Sequence, residues 1–289
     1  MSYPLSLPAD GPLITLTHPR SSLWIIELHN GIDNRLTLDL IERGLKPALD
    51  AVERDWREHW RTAQKNKDKT GGKGALIIVG KRSQDKFFSN GLDLPNVIPN
   101  PNFFPATFNP LLVRLLTFPS KYSNIWTDNR LLTRVSVPTI AAINGHCYAG
   151  GFMLSLVCDY RVMTDGSKRN AWMCMNEVHF GAPWPLSFTA ILRAKFGDHR
   201  LQRKIALEGH RFTAKEAYHD GLLDYLVVGQ TTDVLAKAEE VADKFGTNAQ
   251  GGVWGLIKSN LYRDTLVTIG QDLRVVNATI ADAAARSRL

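Results

Sequence analysis

The stretch Asn144-Gly145-His146-Cys147-Tyr148-Ala149-Gly150-Gly151 lies between two apolar runs, Pro138 to Ile143 and Phe152 to Val157, and its reading decides the fold. The first run is short and bounded by turn residues, the pattern of a buried strand. The second, entered through paired glycines, reads as a buried helix. The segment is therefore a strand-to-helix turn. The first N–H groups of such a helix have no partner within it and sit at the positive end of its dipole. Asp159 to Met163 then returns as a strand.

Upstream, Leu13 to Thr17 and Ser22 to Leu28 read as two strands of a hairpin turning at Pro19-Arg20. Asp39 to Val52 carries Leu40, Ile41, Leu45, Leu49 and Val52 at helical spacing, with Thr37 as its N-cap. Ala75 to Val79 is the next buried strand. It feeds a second glycine turn, Phe87-Phe88-Ser89-Asn90-Gly91-Leu92-Asp93-Leu94, in which Gly91 is free to adopt a conformation closed to other residues. Two backbone N–H donors, one from each turn, converging on a carbonyl oxygen would form an oxyanion hole. Downstream, Ser187 to Lys195, Leu201 to Leu207, Ala214 to Tyr218, Val234 to Phe245 and Val253 to Thr268 read as helices. An α/β core followed by a helical C-terminal region is the physical expectation.

Composition narrows the function classes. The 289 residues are 44% hydrophobic and carry a formal net charge of +7, which fits a folded core and excludes disorder over most of the chain. No apolar run approaches the ~20 residues of a membrane-spanning helix. Three cysteines, Cys147, Cys158 and Cys174, lack metal-ligand spacing and are odd in number, so neither a disulfide framework nor a zinc site is expected, and a reducing compartment is. Met1 to Asp10 shows neither a secretory nor a mitochondrial signal. Ser287-Arg288-Leu289 is a variant of the S-K-L tripeptide read by a peroxisomal import receptor.

Two segments stand apart. Residues 54–74 hold seven Lys or Arg against three acidic residues, a solvated extension of the first helix and its loop. These charges also raise an alternative, a non-catalytic protein binding RNA. The admixture of Asp55, Glu58 and Asp68 and the helical spacing of Trp56 and Trp60 argue against it. The proline-rich stretch Pro95 to Tyr122 contains Phe103, Phe104 and Phe108 and reads as a lid-like loop over something apolar.

The run from Phe87 to Leu94 and the run from Ala141 to Asp159 resemble the two signature segments of the crotonase (enoyl-CoA hydratase/isomerase) superfamily, with the same order of elements over about Leu23 to Leu226. The resemblance implies an α/β spiral of repeated ββα units over residues 1–210 and a helical trimerisation region over 211–289. It implies a CoA thioester as substrate, no further cofactor, no metal and no nucleic acid. A homotrimer or dimer of trimers follows from the same likeness. The N–H groups holding the thioester carbonyl fall on Leu92 and Gly150, with Ser89, Asn90, Gly91, Asp93 and Gly151 around them. Hydratases of this family use two glutamates. Here the first position is Met153, which cannot move a proton, and the second matches Glu177.

One carboxylate suffices to carry a proton from the α-carbon of a 3-enoyl-CoA to its γ-carbon, so the resemblance points to the single-glutamate 3-enoyl-CoA to 2-enoyl-CoA isomerases of mitochondria and peroxisomes. Pro183-Trp184-Pro185, in place of a glycine-rich turn, is similar to that branch. A specialised enoyl-CoA hydratase or thioester hydrolase is the alternative within the fold. Arg35 and Lys258 match positions where basic residues often occur in that family, which makes them candidates for the CoA phosphates. Phe103, Phe104, Phe108, Leu111, Leu112 and Leu115 are expected acyl-pocket walls, and Asp93 and Asp159 braces of their turns. The Ser-Arg-Leu terminus adds an expected location in the peroxisomal matrix.

Overall fold

The computed structural model describes residues 2–118 and 137–271, together with Asp282 and Arg286. Ser287-Arg288-Leu289 and the end of the proline-rich stretch lie outside the described residues. The first strands are β1 (Leu5–Leu7), β2 (Ile14–Arg20) and β3 (Leu23–Leu28). A π-helical turn, Leu40–Leu45, runs directly into α1 (Lys46–Lys65), and β4 (Ala75–Val79), β5 (Phe87–Ser89), α2 (Leu94–Val97) and α3 (Asn109–Leu116) follow. Next come β6 (Thr139–Ile143), β7 (His146–Tyr148), α4 (Gly150–Val157), β8 (Tyr160–Thr164), β9 (Trp172–Cys174), α5 (Leu186–Lys195) and α6 (His199–Ala206). The chain continues through β10 (Phe212–Thr213), α7 (Ala214–His219), β11 (Tyr225–Val227), α8 (Thr231–Gly246), α9 (Trp254–Leu261) and α10 (Arg263–Gly270).

Seven strands form one sheet in the order β1-β2-β3-β4-β6-β8-β11, antiparallel at its start and parallel from β3 onward. The parallel strands are apolar on both faces because both are covered. Ile25, Ile77, Ala142 and Val162 meet Val234, Ala238 and Val241 of α8 on one side. Trp24, Ile26, Ile78, Ala141 and Met163 face the main core on the other. A second sheet, β10-β9-β7-β5, carries the turn before α4.

Several expectations are corrected. Strand β2 runs through Pro19 to Arg20, so the hairpin turns at Ser21-Ser22. Residues past 210 contribute β10 to one sheet and β11 to the other, so the core does not end there. Val253 to Thr268 is two helices, α9 and α10, broken at Tyr262. The described part of Pro95 to Tyr122 is no lid-like loop. It holds the end of α2, a π-helical turn over Phe103–Phe108, and α3, whose Leu111, Leu112 and Leu115 are fully buried. The basic segment extends α1 to Lys65 as expected. Trp56 is fully buried with its Nε1 donating to the Gly72 carbonyl, and Trp60 donates to the Gln250 carbonyl.

Candidate active site

The first turn is held from behind by the loop after β3. Asn34 Nδ2 donates to the carbonyls of Phe87 and Phe88, at 3.3 and 3.2 Å. Ser89 Oγ donates to the Asn34 carbonyl at 2.7 Å and accepts from Gly91 N–H. Asn90 bonds Asp33 through both its backbone N–H and its side-chain amide. A single parallel bridge then joins Leu36 to Leu92, using the Gly91 carbonyl and the Asp93 N–H. In that geometry the N–H of Leu92 itself points away from Leu36, and it has no acceptor among the described residues.

The second turn enters α4. Ala149 donates its N–H to the Cys174 carbonyl at 2.8 Å and sits at φ +50°, ψ −121°. A side chain in such a conformation is strained, at a cost of about 1–3 kcal/mol, and strain of this kind fixes where the next peptide points. That next group is Gly150 N–H, the first of α4, which also has no acceptor among the described residues. The two turns touch. A Cβ built on Gly91, whose φ is +88°, would lie 2.8 Å from Ala149 Cβ and 3.2 Å from Gly150 N. One built on Gly150 would lie 3.3 Å from Leu92 N, and one on Gly151 2.7 Å from Ser89 Cβ. Two N–H groups without an acceptor among the described residues are thus carried by turns in direct contact. Gly91→Ala is expected to push them apart and lower turnover about 100-fold or more, which steady-state kinetics on a folded variant would measure.

Glu177 begins a 3₁₀ turn three residues after the Cys174 carbonyl that anchors Ala149. It is 6% exposed and its Oε2 has no hydrogen-bond partner among the described residues. Burial raises its pKa above the ordinary 4.5, opposed by hydrogen bonds from its own backbone and from the Trp184 side chain. Met153, on α4, is fully buried. The histidines are engaged elsewhere: His179 bonds the Gly209 carbonyl, and His146 stacks on Tyr148 and Trp172 while accepting from Trp172 N–H.

Of the residues expected around a ligand, the structure brings Gly91, Leu92 and Gly150 together. Ser89 is fully buried and Gly151 is buried, and both act in packing the two turns, a correction to a direct contact role. Asp93 bonds Asn96 and starts α2. Arg35 stands behind the first turn, its Nε 3.1 Å from Asp33 and its guanidinium 3.4 Å from the Leu92 carbonyl, with its charge partly open to solvent. Lys258 is a second correction. It is 4% exposed and its Nζ lies 2.8 Å from Asp159, whose carboxylate also takes the backbone and hydroxyl of Thr139, so it is not available to a phosphate.

Beside these turns lies a cavity of about 740 Å³, bounded by Leu94 and Val97 of α2, Phe104, Asn109 and Val113 near α3, Phe180 to Pro183, Leu186 and Ser187 of α5, and the end of α10. Leu94 is two residues from Leu92, and Phe180 is three from Glu177. Among the expected walls only Phe104 lines it. Phe103, Phe108, Leu111, Leu112 and Leu115 belong to the core instead. Trp184 and the polar wall residues Asn109 and Ser187 were not singled out for a role by sequence reasoning. The prolines at 105, 110, 183 and 185, all on the wall, were the available signal.

The sequence profile described as enoyl-CoA hydratase/isomerase matches residues 61–265. The chain belongs to the enoyl-CoA hydratase/isomerase family. Curated members of that family include the peroxisomal enoyl-CoA delta isomerase 1 of Arabidopsis thaliana, 29% identical over 87% of this chain and 91% of that protein. The peroxisomal enoyl-CoA delta isomerase 2 of the same plant is 28% identical over 70% and 80%. A mitochondrial enoyl-CoA hydratase of Pongo abelii is 26% identical over 78% and 69%. The family fold is also that of a solved enoyl-CoA hydratase/isomerase family protein from Pseudomonas syringae, with a TM-score of 0.68 at 22% identity over 90% of this chain and 96% of that one.

Proposed function

We propose that this family member is a 3-enoyl-CoA to 2-enoyl-CoA isomerase of unsaturated fatty-acid oxidation, needing no cofactor beyond the CoA of its substrate. The observation that carries this reading is the pairing of one buried carboxylate, Glu177, whose Oε2 has no partner among the described residues, with the inert, fully buried Met153 at the other family position. In the proposed reaction the thioester oxygen accepts from Leu92 N–H and Gly150 N–H. Glu177 takes a proton from the α-carbon, and the electron pair of that C–H bond forms the dienolate whose charge the two donors stabilise. The same carboxyl returns the proton to the γ-carbon, and the double bond comes to rest in conjugation. No water is consumed.

A hydratase has a specific observation in its favour, the hydratase relatives at similar identity, and the products separate the two. Incubation with a 3-enoyl-CoA is expected to give conjugated 2-enoyl-CoA, read by its ultraviolet absorbance, with little 3-hydroxyacyl-CoA from either isomer. Dominant 3-hydroxyacyl-CoA would overturn the isomerase reading. Binding of nucleic acid is disfavoured because Trp56 and Trp60 are packed and hydrogen-bonded, leaving no stacking platform beside the basic segment.

Two further parts of this proposal concern the chain's surroundings. Leu256, Ile257 and Leu261 on α9 are exposed, with Val253 and Val267 nearby, which supports a homotrimer or dimer of trimers formed through the C-terminal helices. The Ser287-Arg288-Leu289 terminus and the peroxisomal plant relatives support import into the peroxisomal matrix. Deleting the tripeptide from a protein tagged at its N-terminus is expected to leave it in the cytosol; continued import would overturn that part.

A further inference from the structure

The chain after Glu177 folds back and brings Trp184 to its carboxyl. The Glu177 carbonyl accepts from Ala182 N–H at 3.1 Å, closing the 3₁₀ turn, and Gly181 reverses the backbone at φ +73°. Pro183 and Pro185 flank Trp184, and a residue before a proline is confined to extended backbone. The Trp184 ring makes a T-shaped contact with Phe188 of α5, centroids 5.9 Å apart, and Phe188 is buried. Held in this way, the Trp184 side chain donates a hydrogen bond to the Glu177 carboxyl.

Oε2 of that carboxyl is buried without a partner among the described residues, so the indole meets Oε1. The two oxygens are therefore chemically unequal. An indole N–H is uncharged and donor only. A carboxyl proton on Oε1 would confront that N–H with nothing to accept it, whereas a proton on Oε2 leaves the bond intact. Among the described residues no charged group acts on the carboxyl; burial, its own backbone and Trp184 set its character. The titratable neighbours are Cys174, a thiol pushed up to about 11 and neutral in the working range, and His179, which is engaged with the Gly209 carbonyl. A cationic donor in place of the indole would draw the carboxyl down and weaken it as a base. The neutral donor orients it without adding a charge.

We propose that Trp184 is a positioning residue for the proton transfer, holding Oε1 so that the transferred proton travels on Oε2. This rests on the reading of Glu177 as the base. A lone pair of Oε2 takes the α-proton while the C–H electron pair passes into the dienolate. The O–H bond then breaks toward the γ-carbon and the carboxylate is restored. Trp184 itself gains and loses no proton.

The test is the pH dependence of kcat in Trp184→Phe, whose ring keeps the packing on Phe188 but has no N–H. Removing a donor that favours the charged carboxylate raises its pKa. The acidic limb is therefore expected to move up by about one pH unit, the size of one hydrogen bond to a charged group. On the plateau above the limb kcat should fall about 10-fold, with KM changed far less, because the carboxyl is no longer held. A limb that stays in place or moves down in the folded variant overturns the inference, whatever kcat does, since lost packing would then explain any loss. If Trp184→Phe does not fold, the native sequence produced with 4-fluorotryptophan supplies the answer. Its indole N–H is the stronger donor, so the limb should move to lower pH, and an unmoved limb overturns the inference. Glu177→Gln measured alongside separates this from the reading beneath it. Turnover retained in Glu177→Gln removes the base itself, whereas an inactive Glu177→Gln with an unmoved limb in Trp184→Phe overturns the role of Trp184 alone.

Discussion

Glu177→Gln is expected to abolish double-bond migration, lowering kcat by about 10²- to 10⁴-fold, the usual contribution of a positioned proton-transfer group. The amide keeps the shape of the side chain and its contact with Trp184, so binding of acyl-CoA should persist and the loss should lie in kcat. Retained turnover would refute the assignment. Stability should move the other way. Burial raises the Glu177 pKa in the folded state, so between the unfolded and folded values the native protein holds more protons than the unfolded chain. Stability therefore falls as pH rises through that interval, and the full penalty of an ionised buried carboxylate is present above it. Glutamine carries no such penalty. The variant is expected to melt at a higher temperature than the native protein at neutral pH and to lose this advantage below pH 4.5. The native enzyme's activity should show the same group as an acidic limb displaced above the ordinary glutamate range.

Lys258→Met is expected to destabilise the protein by about 3–5 kcal/mol, the cost of leaving a buried charge without its partner. The ion pair joins α9 to Asp159, which in turn fixes the start of β6 through Thr139. Removing the cation strands a carboxylate that is 9% exposed. The double variant Lys258→Met, Asp159→Asn should recover much of the loss, because the uncompensated charge is then gone. Thermal melts of the three proteins measure this, and additive losses would show that the pair is not the source. Lys195 lies in the same cluster, bonded to the Cys158 carbonyl and the Tyr262 hydroxyl, with its pKa lowered to about 7 by burial and by Arg161. Folding thus releases its proton between pH 7 and the ordinary lysine value of 10.5. Its contribution makes the protein least stable below pH 7 and more stable as pH rises from there toward 10.

The parts of this fold that are legible in the sequence are those whose environment is uniform. Ala75 to Val79 and the run ending at Ile143 read as strands because α8 covers one face and the main core the other, leaving no position for a polar side chain. The second sheet is not legible, since β5, β7 and β9 are three residues each, too short to show a period. The prolines of 95–110 misled for a definite reason. Pro95 and Pro110 occupy the first turns of α2 and α3, where a missing N–H costs nothing, so they start helices instead of keeping the segment extended.

The site divides in the same way. Gly91, Leu92, Gly150 and Glu177 lie in local turns that sequence spacing can describe, and the structure places Gly91, Leu92 and Gly150 at the contact of two of those turns. Lys258 fails because its partner is 99 positions away, and nothing near residue 258 records that separation. The cavity wall fails likewise, since α2, α3, α5 and α10 meet only after the chain has folded.

The three cysteines share a burial that bears on chemistry outside any catalytic cycle. Cys147, Cys158 and Cys174 are all buried as free thiols, and desolvation pushes the first two up to about 12 and the third to about 11. At neutral pH the thiolate share of Cys147 or Cys158 is then on the order of one part in 10⁵, and it is the thiolate that attacks peroxides and disulfides. In the folded protein these three thiols are therefore poor nucleophiles toward peroxides and disulfides. The thiols become exposed as the core opens, so the rate of their modification by an added electrophile reports how often this core unfolds.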